Sequence, residues 1–250
     1  MIDRAERERT YWNMMRSEGE AARTRIAKYY SIAEPRLNAY RSILDTYART
    51  GARMLELGCS TGTTSIELSL LGAEVIGVDI SDVAIRRARD SARRAGSHAH
   101  FAVEDAQRLA YDDRSFDVVF GSSVIHHLDV SRVAPEIARV TRAGGTAVFL
   151  EPLGHNPVIE LYRRLTPDAR TADERPLRVT DLQRLQIGWR ERRVTYYDCL
   201  TLCAVPLHGR ECFCRVADVG RRLDSLLFLI PAAWRLAWFS LIELGNPGED

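Results

Sequence analysis

Met54-Leu-Glu-Leu-Gly-Cys-Ser-Thr-Gly62 is the stretch on which the reading of the fold turns. Met54 to Leu57 is an apolar run broken by one acid, Glu56, and reads as a short buried strand. Gly58 follows at once, then three small residues, then Gly62. From Thr63 onward, Ile66, Leu68, Leu70 and Leu71 with Glu67 outside read as the start of a helix. In such a strand–turn–helix the missing side chains let the backbone approach a ligand, in front of a helix N-terminus with unpaired N–H groups. A second apolar run, Val75-Ile-Gly-Val78, ends in Asp79. An acid at the carboxyl end of the second strand can accept two hydrogen bonds from a ribose diol. The dinucleotide fingerprint does not fit. Counted from Gly58, its second glycine falls on Ser60 and its third on Thr63, so a pyrophosphate has no obvious cradle.

The 250 residues suit one α/β domain with additions. A formal net charge of +1 supports no electrostatic claim about nucleic acid or membrane. Lys28 is the only lysine among 35 basic residues, and the arginines are scattered or in short pairs, which reads as solvated helix faces. The N-terminus, Met1-Ile-Asp-Arg-Ala-Glu-Arg-Glu-Arg9, is charged, so no signal peptide is expected. Leu226 to Leu244 is the nearest thing to a spanning segment, but Pro231, Arg235 and Glu243 cut it. The expected compartment is the cytoplasm, and the odd count of 5 cysteines fits a reducing one. Cys199-x3-Cys203 and Cys212-x-Cys214 lack the usual zinc-knuckle spacing and lie in apolar sequence, so no metal is expected.

Residues 1–50 read as helices carrying two apolar clusters, Tyr11, Trp12, Met14, Met15 and Ile26, Tyr29, Tyr30, Ile32. Pro35 then opens a helix with Leu37, Tyr40, Ile43, Leu44 and Tyr47 at helical spacing. Downstream, Asp82 to Ala95 reads as a helix capped by Ser81 and ended by Gly96. Strands are expected at about His100–Val103, Phe116–Gly121, Thr146–Leu150 after an Arg142-Ala-Gly144-Gly145 turn, Arg192–Tyr197 and Ala237–Leu244. Helices are expected from Pro135 to Val140, from Val158 to Leu165, and from Thr180, taken as its cap. Residues 198–235 read as an apolar, mainly helical insert. Val216, Val219, Leu223, Leu226, Leu227 and Ile230 share a helical face opposite Arg221, Arg222 and Asp224. The β-α-β-α alternation predicts a parallel sheet with helices on both faces.

The pattern Glu56-x-Gly58-x-Ser60-x-Gly62, followed by Asp79, resembles motifs I and II of class I S-adenosylmethionine (SAM) methyltransferases. Ser60 stands where that family often has glycine. Glu104-Asp105-Ala106 after strand three, and Phe116-Asp-Val-Val-Phe-Gly121 running into His126-His127-Leu128, are similar to further stretches of the family. So is Gly144-Gly145, although Ala143 replaces the common proline. The resemblance covers about residues 50–152 and extends more loosely to the C-terminus. It implies a Rossmann-like, seven-stranded, mostly parallel sheet whose last strand is antiparallel. It also implies an N-terminal helical lid over 1–50 and a SAM-binding core over 51–250. By resemblance the backbone of Gly58, Cys59, Ser60 and Gly62 faces SAM, with Glu56 near its methionine end. Asp79 takes the ribose hydroxyls, and Ile80 belongs to the same set. Asp105 and the Ala106 N–H meet the adenine, while Gly121 and Ser122 line the methionine end.

The implied reaction is SN2 transfer of a methyl group to O, N or C of a small, apolar or aromatic metabolite. His126 and His127 sit just past strand four and Glu151 just past strand five, on the edge where open α/β sheets bind ligands. A His with an acid beside it is a plausible general-base pair. Adjacent residues on a helix point about 100° apart, so one of the two histidines, His126 by preference, should face the ligand. Tyr11, Tyr29, Tyr30 and His155 are the candidates to touch the acceptor. Two rival readings stay open: a SAM-fold protein that cyclises or rearranges its substrate, and a macromolecule methyltransferase. The expected partner is a small-molecule acceptor rather than nucleic acid, and a homodimer is open.

Overall fold

The computed structural model describes residues 4–18, 31–166 and 173–248. Two helices, α1 (Arg4–Glu18) and α2 (Glu34–Ala48), precede one seven-stranded sheet. Its strands are β1 (Arg53–Leu57), β2 (Glu74–Asp79), β3 (His100–Val103), β4 (Phe116–Ser122), β5 (Thr141–Pro152), β6 (Trp189–Tyr197) and β7 (Phe239–Pro247). They lie in the order β3-β2-β1-β4-β5-β7-β6. The first five are parallel, and β7 runs antiparallel between β5 and β6. Between them run α3 (Thr63–Leu70), α4 (Asp82–Ala95), α5 (Val130–Val140), α6 (Pro157–Leu165), α7 (Val179–Leu185) and α8 (Phe213–Leu227). Among the described residues no helix is long and apolar enough to cross a membrane.

The strand sequences lack polar alternation because both faces of the sheet are covered. Successive side chains point to opposite faces. Leu55, Leu57, Val119, Ala147 and Phe149 pack on one face with Val133 and Ile137 of α5 and Leu182 of α7. Met54, Val118, Phe120, Val148 and Leu150 pack on the other with Tyr40 and Leu44 of α2 and Leu68 of α3. The capping reading of α4 holds: Ser81 Oγ accepts from the Ala84 N–H, and Gly96 ends the helix in the left-handed region at φ 66°.

Several boundaries differ from the sequence reading. The Arg142–Gly145 turn is a bulge inside a longer β5: Phe116 pairs with Thr141, but Val118 already pairs with Thr146. Helix α5 starts at Val130, capped by Asp129, and carries Pro135 inside it. Helix α7 begins at Val179, with Arg178 rather than Thr180 as its cap; the Arg178 N–H donates to the Asp181 carboxylate. Strand β6 reaches back to Trp189, and β7 lies later than expected, at Phe239–Pro247.

The largest correction concerns the insert. It consists of a 3₁₀ segment (Leu200–Leu207), α8 and a 3₁₀ turn (Ala233–Leu236). Helix α8 buries Ala217, Gly220 and Asp224, and leaves Val219, Leu223, Leu226 and Ile230 exposed. The acid decides the orientation. The Asp224 carboxylate accepts the N–H groups of Cys199, Leu200 and Thr201 at 3.1, 2.6 and 3.2 Å and the Thr201 hydroxyl at 2.6 Å. Gly220 lets the two segments touch, since a Cβ there would lie 2.7 Å from Thr201 Cα. Pairing of Tyr197 with Phe239, and of Phe239 with Pro152, brings the insert out at the carboxyl edge of the parallel strands.

Asp224→Ala should cost about 2–4 kcal/mol, because it strips a buried acceptor from several donors at once. Urea unfolding measures that loss, and a variant as stable as wild type would remove Asp224 as the clasp of the insert.

Candidate active site

Strand β1 has β2 on one side and β4 on the other, so the chain reverses its direction of winding there. Open α/β sheets bind ligands in the crevice outside the carboxyl ends at such a switch point. The turn after β1 is built for close packing. Gly58 has φ 68°, and a Cβ on it would lie 2.6 Å from Val124 Cγ2. Gly62 has φ 81° and heads α3, and a Cβ there would meet the Phe101 ring at 2.7 Å. Gly121, at the end of β4, is likewise filled in by Val124. These glycines therefore serve the packing of one loop on another. Ser60 and Ser123, at the ends of β1 and β4, both adopt φ 55°, a conformation that costs an L-residue energy and recurs at functional sites.

Carboxylates fix the loops. Asp79 Oδ2 accepts the Ser60 N–H and Oδ1 the Ser81 N–H, each at 2.9 Å, and the residue remains partly exposed. Asp105 Oδ1 accepts the Gln107 N–H at 2.9 Å and is also partly exposed. Glu56 is buried; its Oε2 accepts the Ser65 N–H at 3.1 Å and the Ser65 hydroxyl at 2.5 Å, tying β1 to α3. Burial pushes the Glu56 carboxyl up to about 7, against the opposing pull of the Ser65 hydrogen bonds. Cys59 is buried in the cluster with Ile66, Ile85 and Phe101, so its side chain belongs to the core. Ala106 is buried, Ile80 is half-buried, and Ser122 is exposed at the sheet edge.

Past β4 the chain makes a 3₁₀ turn, Ile125–His127. Glu151, fully buried, holds that turn. Its Oε1 accepts the N–H groups of Val124 and Ile125 at 2.8 Å each, and its Oε2 lies 2.8 Å from His126 Nδ1. That carboxylate acts as the acceptor, with two backbone N–H donors on one oxygen. Its partner Nδ1 must then carry the proton, which leaves the lone pair of His126 on Nε2. His127 Nδ1 stands 3.4 Å from Glu8 Oε2 of α1, and the His127 ring meets Trp12 edge-on at 5.4 Å. Helix α1 also reaches the end of β2: Ser81 Oγ donates to Asn13 Oδ1 at 2.5 Å, and Asn13 Nδ2 donates to Asp82 at 2.8 Å.

The remaining sequence candidates divide. Tyr11 packs edge-on against Trp12 at 5.3 Å on α1. Tyr29 and Tyr30 lie outside the described residues. The contacts of His155 are with the Val179 N–H, 3.4 Å from its Nε2, and with the Trp234 ring at 5.8 Å. Burial, followed by the neighbouring Arg178 and Arg235 charges, lowers its pKa. The sequence reading missed Tyr40, whose helical spacing marked it only as core. Its hydroxyl is buried with no hydrogen-bond partner among the described residues. Burial raises its pKa well above the usual tyrosine value, and the charges of Glu56 and Glu151 add to the rise. An open polar atom at such a place awaits a water or a ligand.

A Rossmann-like sheet with its loops clasped at the switch point is an open α/β fold whose ligand crevice lies at that edge. Residues 55–149 match the family described as "Methyltransferase domain". The chain is 38% identical over 101 residues to a 27-O-demethylrifamycin SV methyltransferase of Amycolatopsis mediterranei, covering 39% of this chain and 37% of that protein. It is 37% identical over 124 residues to a demethylmenaquinone methyltransferase of Thermobifida fusca, covering 47% and 50%. The chain thus spans half or less of the length of these curated relatives. A crystal structure of the PH0226 protein from Pyrococcus horikoshii has the same fold, at a TM-score of 0.57 and 21% identity, over 86% of this chain and 91% of that one. The stretch from residue 55 to 149, which spans β1 to β5, is thus similar to the methyltransferase domain family, and the solved structure shares its fold.

Two substitutions separate folding from binding here. Tyr40→Phe removes a buried unpaired hydroxyl, so it should leave stability unchanged or raise it by about 1 kcal/mol, while SAM affinity drops. Calorimetry and thermal unfolding of the same sample read both. The carboxyl of Glu56 has a folded pKa above its unfolded value, so its contribution to stability is lost as pH rises from about 4.5 to 7. In Glu56→Gln that part of the pH dependence should vanish, which urea titrations between pH 5 and 8 would show.

Proposed function

We propose that this protein transfers the methyl group of SAM to a hydroxyl of a small, apolar or aromatic molecule. The observation that supports the hydroxyl is the His126–Glu151 pair: Glu151 Oε2 lies 2.8 Å from His126 Nδ1, which leaves Nε2 to accept a proton. When bound, SAM supplies an electrophilic methyl group on its sulfonium. Asp79 is assigned the ribose diol. Each of its oxygens spends one lone pair on a backbone N–H and keeps another, so the residue fits the role without giving up its loop. Asp105 and Ala106 are assigned the adenine. The backbone of Gly58, Ser60 and Gly62, with Ile80, Gly121 and Ser122, lines the cofactor. Glu56 acts from behind, by holding α3 to β1.

On the acceptor side, His126 withdraws the hydroxyl proton as the oxygen attacks, and Glu151 stabilises the imidazolium that forms. His127 and Tyr11 border the acceptor. Helix α1 is read as a lid over 1–50, supported by its hydrogen bonds to Ser81 and Asp82 beside Asp79. Lid and insert together exclude water from the sulfonium.

Asp79→Ala should weaken SAM binding by about 1.5–3 kcal/mol in calorimetry, since it strips the diol of its acceptors. Unchanged affinity would refute the cofactor assignment. His126→Ala should lower turnover by about 10²–10⁴-fold with SAM affinity kept. Its deficit should shrink as pH approaches the acceptor's own pKa, where the hydroxyl ionises unaided. A variant with full turnover at neutral pH would leave placement alone as the source of catalysis.

A further inference from the structure

Three ligand-type side chains converge beside the acceptor edge, and the methyl-transfer reading uses the lone pair of only one. His126, His127 and Glu174 each bring a nitrogen or carboxylate oxygen within 4.8 Å of the others. Among the described residues no other set of His, Cys, Asp and Glu side chains meets that condition, the free thiols at Cys199, Cys203, Cys212 and Cys214 included.

The backbone builds this convergence. The 3₁₀ turn clasped by Glu151 holds the two imidazoles with their centroids 4.2 Å apart and their planes tilted by 41°. Glu174 arrives on a distant segment, but the next residue pins it there: the Arg175 N–H donates to the His126 carbonyl at 2.9 Å. Arg163 Nη1 donates to Glu174 Oε1 at 2.8 Å, which orients the carboxylate. Behind each imidazole stands a second carboxylate. Glu151 lies 2.8 Å from His126 Nδ1, and Glu8 lies 3.4 Å from His127 Nδ1 while also accepting from Trp12 Nε1 at 2.9 Å. A carboxylate hydrogen-bonded to the rear nitrogen is the arrangement that orients metal-binding histidines; His126 has it, whereas the contact of His127 Nδ1 with Glu8 falls short of a hydrogen bond.

We propose that Nε2 of His126, Nε2 of His127 and the carboxylate of Glu174 bind one divalent transition-metal ion. Two imidazoles and one carboxylate suit zinc or cobalt, whereas magnesium and calcium favour an all-oxygen shell. Ligands at about 2.1 Å from a tetrahedral ion stand about 3.4 Å apart, so atoms within 4.8 Å of one another need close by at most about 1.4 Å. Three protein ligands leave a position open to water or to an oxygen of the acceptor. The site stands on geometry alone. It rests on the proposed function for one consequence: a bound ion takes up the His126 lone pair that the acceptor's proton would otherwise use.

Cobalt titration of the tag-free, full-length protein tests the site. One equivalent of Co²⁺ should give the visible bands of four- or five-coordinate cobalt, and Zn²⁺ should abolish them. His127→Ala and Glu174→Gln should each weaken cobalt binding at least tenfold, in samples whose circular dichroism and metal-free melting match wild type. Absence of a one-equivalent cobalt spectrum in wild type overturns the proposal. So does undiminished binding in both variants, which would place the ion elsewhere. With the site established, Zn²⁺ should inhibit methyl transfer and a chelator restore it. Zinc-dependent activation instead would overturn the base role of His126 while leaving the metal site in place.

Discussion

Glu151 is the constraint on which the catalytic edge depends. A carboxylate with no solvent exposure is tolerable only when donors replace the water it has lost, and here backbone N–H groups and an imidazole do so. In return the 3₁₀ turn after β4 is fixed to the end of β5. The clasp extends further through Val124, whose N–H Glu151 accepts. The Val124 side chain fills the space left by the missing Cβ atoms of Gly58 and Gly121. One acid at the end of β5 therefore sets the orientation of His126 and also the seat of the turn after β1. The acceptor half and the cofactor half of the edge are mechanically one piece.

The same device recurs along the chain with a difference that separates structure from function. Glu56, Glu151 and Asp224 are buried, and each accepts from a neighbouring segment: Ser65 for the first, the turn after β4 for the second, the start of the insert for the third. Asp79 and Asp105 also hold loops, yet both stay partly exposed with lone pairs to spare. Exposure of the carboxylate, more than its place in a motif, distinguishes the acids that can meet a ligand from those that shape the crevice.

The sheet was legible in the sequence because its strands are short apolar runs separated by well-capped helices, and that pattern has few competing solutions. Strand positions were misjudged where the local signal was ambiguous. Gly144-Gly145 reads as a turn, but a strand can absorb the same residues as a bulge. The insert was misread for a different reason. A helical wheel assigns the apolar face inward, whereas Asp224 satisfies the N–H groups at Cys199, Leu200 and Thr201 and turns the wheel around. A buried acid with a specific set of donors outweighs a few partly exposed aliphatic side chains, and periodicity carries no information about those donors.

This contrast extends to the site itself. The proposed cofactor edge comes from residues that follow their strands directly: Gly58 after β1, Asp79 at the end of β2, Asp105 after β3, Ser122 at the end of β4. Parallel topology brings these ends together, so order along the chain is enough to place them. The acceptor side has no such rule. Glu8 from α1, His126 and His127 after β4, and Glu174 from the segment before α7 meet only through tertiary contacts, among them the Arg175 N–H on the His126 carbonyl and the ion pair of Arg7 with Asp173. A site assembled from distant segments can change its substrate by altering one segment while the cofactor edge stays as it is. Relatives matched along the core strands can therefore share the edge at Asp79 and still differ in what stands opposite His126.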